Sequence, residues 1–90
     1  MPQFVIEREI PGIGKLSPEE LQAMSKKARE VVTDPARQVQ WLYSFVTDDK
    51  TYCVYIAPDE EILRESSERA GFPVSRVSQV TSMLDPTASE

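Results

Sequence analysis

Two apolar runs separated by three polar residues constrain this chain more than anything else in it. Residues 38–47 (QVQWLYSFVT) and 51–57 (TYCVYIA) flank Asp48-Asp49-Lys50, the pattern of a β-hairpin with a short loop. Both runs are rich in aromatic and β-branched residues, and both faces that they present by alternation are apolar. With Thr47 set opposite Thr51, Trp41, Tyr43 and Phe45 share a face with Cys53, Tyr55 and Ala57. Leu42, Ser44 and Val46 then share the other with Tyr52, Val54 and Ile56. A slip of one residue would exchange the faces of the second strand. The aliphatic face of Leu42, Val46, Val54 and Ile56 is the natural seat for helices, which leaves Trp41, Tyr43, Phe45 and Tyr55 bare. Four exposed aromatics exceed what a small monomer normally shows to water, so this face predicts a homodimer or a bound ligand.

Strand and helix signals flank the hairpin. Residues 3–10 (QFVIEREI) alternate, with Phe4, Ile6 and, beyond Arg8, Ile10 on one side and Val5, Glu7 and Glu9 on the other. Pro11-Gly12-Ile13-Gly14 breaks that strand; its two glycines lack the register of a phosphate-binding loop. Ser17-Pro18-Glu19-Glu20 sets a serine at N-cap, a proline at N1 and a glutamate at N3, a capping box. Leu21, Met24, Ala28 and Val31 follow at helical spacing, and Pro35 predicts an end near Thr33. Pro58-Asp59-Glu60-Glu61 predicts a second helix with Pro58 at N1, an apolar stripe of Ile62, Leu63 and Ala70, and Gly71 as its stop. Residues 74–84 read as a last strand, bulged near Val77 and Val80, followed by a polar tail over 85–90. The order strand, helix, strand, strand, helix, strand predicts a ferredoxin-like α+β sandwich (βαββαβ), one domain over 1–90. Its four-stranded antiparallel sheet would carry both helices on one face.

Charge and composition narrow the function. Fifteen acidic against ten basic residues give net charge −5, which argues against a nucleic-acid binder and against an anionic membrane surface. The chain has no histidine, which excludes Ser-His-Asp and Cys-His catalysis and imidazole-ligated metal, and one cysteine, which excludes an internal disulfide. The longest apolar run, Cys53 to Ala57, is far short of a membrane span, and the N-terminus lacks the pattern of a signal peptide. The expected location is cytoplasmic.

Among the remaining side chains, Glu7 and Glu9 are candidate metal ligands or acid–base groups, because they point the same way as Val5 on a strand expected to be central. The bland alternative is a pair of rim carboxylates meeting lysine or arginine. Cys53 is a candidate soft ligand, against the reading of a small buried side chain. Trp41, Tyr43 and Tyr55 are candidate ligand-binding residues, against packed aromatics with wet tips. Asp59, Glu60 and Glu61 are explained by the dipole of the helix that they open.

The runs Phe4-Val5-Ile6-Glu7-Arg8-Glu9-Ile10-Pro11-Gly12, Gln40-Trp41 through Ser44, Val46-Thr47-Asp48-Asp49-Lys50, Tyr52-Cys53-Val54-Tyr55-Ile56-Ala57-Pro58, Gly71-Phe72-Pro73 and Asp85-Pro86-Thr87 together resemble the small bacterial ferredoxin-like proteins known as nickel-binding, otherwise a family of unknown function. The resemblance spans nearly the whole chain. It implies a ferredoxin-like fold, a homodimer and a site for nickel or another divalent metal. The chain departs from the family pattern at Ser66, where a histidine is expected after Arg64-Glu65, and at Phe45, where a tyrosine often precedes Val-Thr-Asp. The leading expectation is a dimeric binding protein without catalysis of its own, with Glu7, Glu9 and Cys53 as its metal candidates and only weak metal affinity. A second is a dimeric ferredoxin-like enzyme or small-molecule binder of the isomerase, cyclase or monooxygenase kind, with Trp41 and Tyr43 as walls and Glu7 as base. A third is an interaction module that pairs only through its aromatic face.

Overall fold

Phe4, Ile6 and Arg8 alternate along β1 (Gln3–Glu9) and all three are buried, so one side of this strand faces the helices. The computed structural model describes residues 1–87; the end of the polar tail expected over 85–90 lies outside the described residues. β1 pairs antiparallel with both β3 (Lys50–Ile56) and β4 (Arg76–Gln79), and β2 (Gln40–Val46) pairs with β3, giving the order β2-β3-β1-β4. With α1 (Pro18–Lys27) and α2 (Glu60–Ala70) this is the ferredoxin-like α+β arrangement. The core sits between helices and sheet, where Phe4, Ile6, Val32, Val39, Tyr55, Ala57, Leu63 and Ala70 close on one another.

The predicted capping box forms. Ser17 Oγ accepts from the Glu20 amide at 3.1 Å, and Glu20 Oε1 accepts from the Ser17 amide at 3.0 Å. Ser17→Ala is expected to lose about 1 kcal/mol, read as a lower urea midpoint at unchanged slope. Past Lys27 the helix widens into a π-turn over Ala28–Val32, which turns Ala28 and Val32 into the core and ends, as expected, at Thr33.

Three local expectations are corrected. α2 opens two residues later than Pro58 at N1 implies. Asp59 is its N-cap, with Oδ1 accepting from the Ile62 amide at 2.9 Å, because a carboxylate that satisfies a helix amide outranks a proline. β4 is four residues, not the stretch 74–84. Its register sets Gln79 opposite Phe4, the Val80 amide reaches Gln3 O at 2.8 Å, and the next partner would be Pro2, which has no N–H to offer. The bulge lies on β2 instead, between Trp41 and Tyr43.

The hairpin register also differs, by one residue. The Thr47 amide donates to Lys50 O at 2.9 Å, closing a two-residue turn, Asp48-Asp49, so Val46 stands opposite Thr51. The faces of β3 therefore exchange: Thr51, Cys53 and Tyr55 point to the helices, and Tyr52, Val54 and Ile56 to the open side. On β2 the bulge at Leu42 then turns Trp41 inward beside Tyr55, away from Tyr43 and Phe45. The bare aromatic face expected from Trp41, Tyr43, Phe45 and Tyr55 is reduced to Tyr43 and Phe45, with Tyr52 next to Phe45.

Candidate functional site

α1 is amphipathic, yet none of its residues is fully buried. The space below it is a half-open cleft of about 160 Å³, bounded by α1, the 10–13 loop and the helix-facing side of β1, β2 and β3. Ile13, Leu21, Met24, Trp41 and Phe72 form apolar walls; Arg8, Thr51, Cys53 and Tyr55 supply the polar groups. Trp41 is held by its indole N–H, which donates to Ser44 Oγ at 2.9 Å.

Arg8 is the third residue of the inward row of β1 and is 2% exposed. Its Nη1 donates to Pro73 O at 2.9 Å, and its Nη2 to Tyr55 Oη at 3.3 Å and Ser67 Oγ at 3.1 Å. The guanidinium carbon lies 5.4 Å from the ring centre of Phe72 and 5.9 Å from that of Tyr55, in cation–π range of both. Every one of these partners is neutral, and none of the ion pairs among the described residues includes Arg8. Burial pushes the Tyr55 phenol above its ordinary pKa, while the charge and hydrogen bond of Arg8 pull the other way. Thr51 stands directly opposite Arg8 in the sheet, and its hydroxyl accepts from Cys53 Sγ at 3.4 Å.

The candidates from the sequence divide between the two sides of the sheet. Trp41, Tyr55 and Cys53 meet in the cleft. Tyr43 is on the open side, 52% exposed, stacked edge-on against Phe45 at 5.6 Å. Glu7 and Glu9 also face the open side, so Cys53 and the two carboxylates do not come together. Glu7 is engaged by Lys50 at 3.7 Å and stands opposite Arg76 on β4, the rim arrangement weighed against a metal role. Nor do Glu7 and Trp41 meet, which separates the base from the wall of the expected enzyme pocket. No group of three or more cysteine, aspartate or glutamate side chains among the described residues is placed to hold a metal ion.

Sequence reasoning passed over Arg8 as an interruption of an apolar row, and missed Thr51 and Phe72. The signal was there for Arg8: it keeps the phase of Phe4 and Ile6, so its charge had to point inward. Ser66, at the position where a histidine was expected, is fully buried on α2, and its hydroxyl meets no partner among the described residues. Ser66→Ala is expected to stabilise the protein by about 1 kcal/mol, since it removes an unsatisfied buried hydroxyl at nearly constant volume; a lower melting temperature would mean that the hydroxyl is satisfied after all.

Among the described residues, no helix is long and apolar enough to cross a membrane. The crystal structure of SCO4226 from Streptomyces coelicolor A3(2) shares this fold, with a TM-score of 0.76 over 91% of this chain and 99% of that one, at 16% identity. No curated protein matches the chain. A family model described as nickel responsive protein SCO4226-like matches residues 4–80, most of the length, in line with the resemblance carried by the sequence segments. The chain therefore belongs to the SCO4226-like family of nickel responsive proteins.

Proposed function

We propose that this chain is a dimeric binding protein without catalysis of its own, and that its ligand site is the cleft beneath α1. The observation that carries the reading is a helix that leaves its underside unfilled. Protein interiors pack to crystal-like density, and a domain this small gives up core contacts to keep a cleft of about 160 Å³. A concave, mostly apolar space with a few converging polar groups is the usual form of a small-molecule site. No aspartate or glutamate lines it, which supports binding over acid–base chemistry.

Nickel does not fit as a resident ion. Nickel(II) is best served by imidazole and oxygen donors, and here the candidate oxygens and the thiol lie on opposite sides of the sheet, with Glu7 already bridged to Lys50. Weak binding at the Glu7 and Glu9 carboxylates is what this surface supports, and no step of the function runs through a bound metal.

We place the second copy on the open side of the sheet. Tyr43 and Phe45, 52% and 63% exposed, sit beside Tyr52, Val54 and Ile56 as the apolar part of that surface. Tyr43→Glu is expected to give monomers at micromolar concentration by sedimentation, with the melting of the single chain little changed because Tyr43 is exposed within it. Dimers that survive the charge would move the contact elsewhere. A native mass spectrum of freshly purified, untagged protein tests the whole reading. The expected species is a dimer carrying a small organic adduct; a stoichiometric metal in its place would overturn the assignment of the cleft, and a bare dimer would favour a pure interaction module.

A further inference from the structure

We propose that the cleft takes a small organic monocarboxylate, with the carboxylate on the guanidinium of Arg8 and an apolar body of roughly one ring under α1. This rests on the cleft being the ligand site and names the class of molecule that it selects. A buried cation held only by neutral acceptors is incompletely compensated, since the Coulomb gain that offsets desolvation comes from an opposite charge. Arg8 has the Pro73 carbonyl and the Tyr55 and Ser67 hydroxyls. Among the described residues its Nε–H and second Nη1 proton meet no acceptor; they lie on different edges of the guanidinium, so a carboxylate oxygen can take a charge-assisted hydrogen bond from either of them.

The surroundings choose the sign and size of the ligand. No carboxylate lines the cleft, and the other charge close to Phe72 is a second cation, Lys27, at 5.3 Å from the ring centre. Thr51, buried and opposite Arg8, already accepts from Cys53, so its own hydroxyl proton is available to a second ligand oxygen. One guanidinium among apolar walls matches one negative charge, whereas a phosphate dianion would bring more charge than the site can pair. A dry aliphatic cavity of about 150 Å³ takes up benzene, which sets the scale of the body that fits beside Leu21, Met24 and Trp41.

Trp41 is the single tryptophan and lines the cleft, so its emission reports occupancy directly. The test is titration of the full chain with benzoate, phenylacetate and 4-methylpentanoate, each against its own primary amide, with melting temperature as a second readout. At least one acid is expected to shift the Trp41 emission saturably and to bind about ten-fold or more tightly than its amide. In Arg8→Gln the acid and the amide should bind alike, while Arg8→Lys should keep part of the preference. Equal binding of acids and amides to the natural chain would overturn carboxylate selection and leave the cleft as a ligand site. No response to any acid or amide at millimolar concentration would overturn the ligand site itself, and the carboxylate with it. Should Arg8→Gln fail to fold, the comparison of acid with amide on the natural chain decides alone.

Discussion

Gly14→Ala is expected to cost this protein about 3 kcal/mol, although position 14 is exposed. The reason is a close approach of two backbones. A β-carbon at Gly14 would lie 2.8 Å from Asp48 Cα, 2.9 Å from Thr47 O and 3.2 Å from Asp48 O, and none of these atoms can swing aside as a side chain could. The two segments are also tied. The Gly14 amide donates to Asp48 O at 3.0 Å and the Ile10 amide to Asp49 O at 2.9 Å, while Asp49 Oδ1 accepts from the Gly12 amide at 2.9 Å. Relieving the clash means parting the 10–14 loop from the hairpin turn and stranding several of these groups. Urea unfolding followed by far-UV circular dichroism measures the cost; an unchanged midpoint would show that the loop moves off freely.

Ile6→Ala should do as much damage from the inside. Ile6 is completely buried on the strand that holds the middle of the sheet, with Cys53 on one side and Val77 on the other. Truncation there removes the transfer free energy of the lost methyl and methylene groups and leaves a void that a three-strand neighbourhood cannot collapse, about 3–4 kcal/mol in all. Domains of this size have roughly 5–10 kcal/mol in hand, so the variant should melt roughly 15–25 °C lower. A fall of only a few degrees would mean that the core repacks around the site.

Most of the architecture was legible because the signals that specify it are local. The capping box needs only Ser17 and Glu20, the stop of α2 only Gly71, which indeed takes φ 77°, and the alternation of β1 only its own residues. Register was not legible. Whether the hairpin closes on two residues or three turns on one bond from Thr47 to Lys50 and on the grip of the distant 10–14 loop, and the bulge at Leu42 then moves Trp41 to the other side of the sheet. That single-residue difference separates Cys53 and Tyr55 from Tyr43, while the pairing of Ile6 with Cys53 on β1 puts Glu7 on the opposite face, and the site suggested by the sequence is divided. Arg8 shows a different limit. Its inward direction was readable from phase, but its acceptors at Pro73, Ser67 and Tyr55 lie 65, 59 and 47 residues away, and nothing within a short window joins them.

The two outermost strands bear on how copies of this chain can meet. β2 and β4 each leave one row of backbone groups without a sheet neighbour, and such rims invite the next molecule to continue the ladder. Here β2 is kinked by the extra residue at Leu42, which throws its N–H and C=O groups out of line, and β4 is too short, at four residues, to template a partner strand. Rim-to-rim growth into a continuous sheet, the route to open-ended aggregates, is blunted at both ends. The proposed dimer, formed face to face, is the mode of association that these rims leave open, and a two-fold contact of that kind uses up its surface and stops at two.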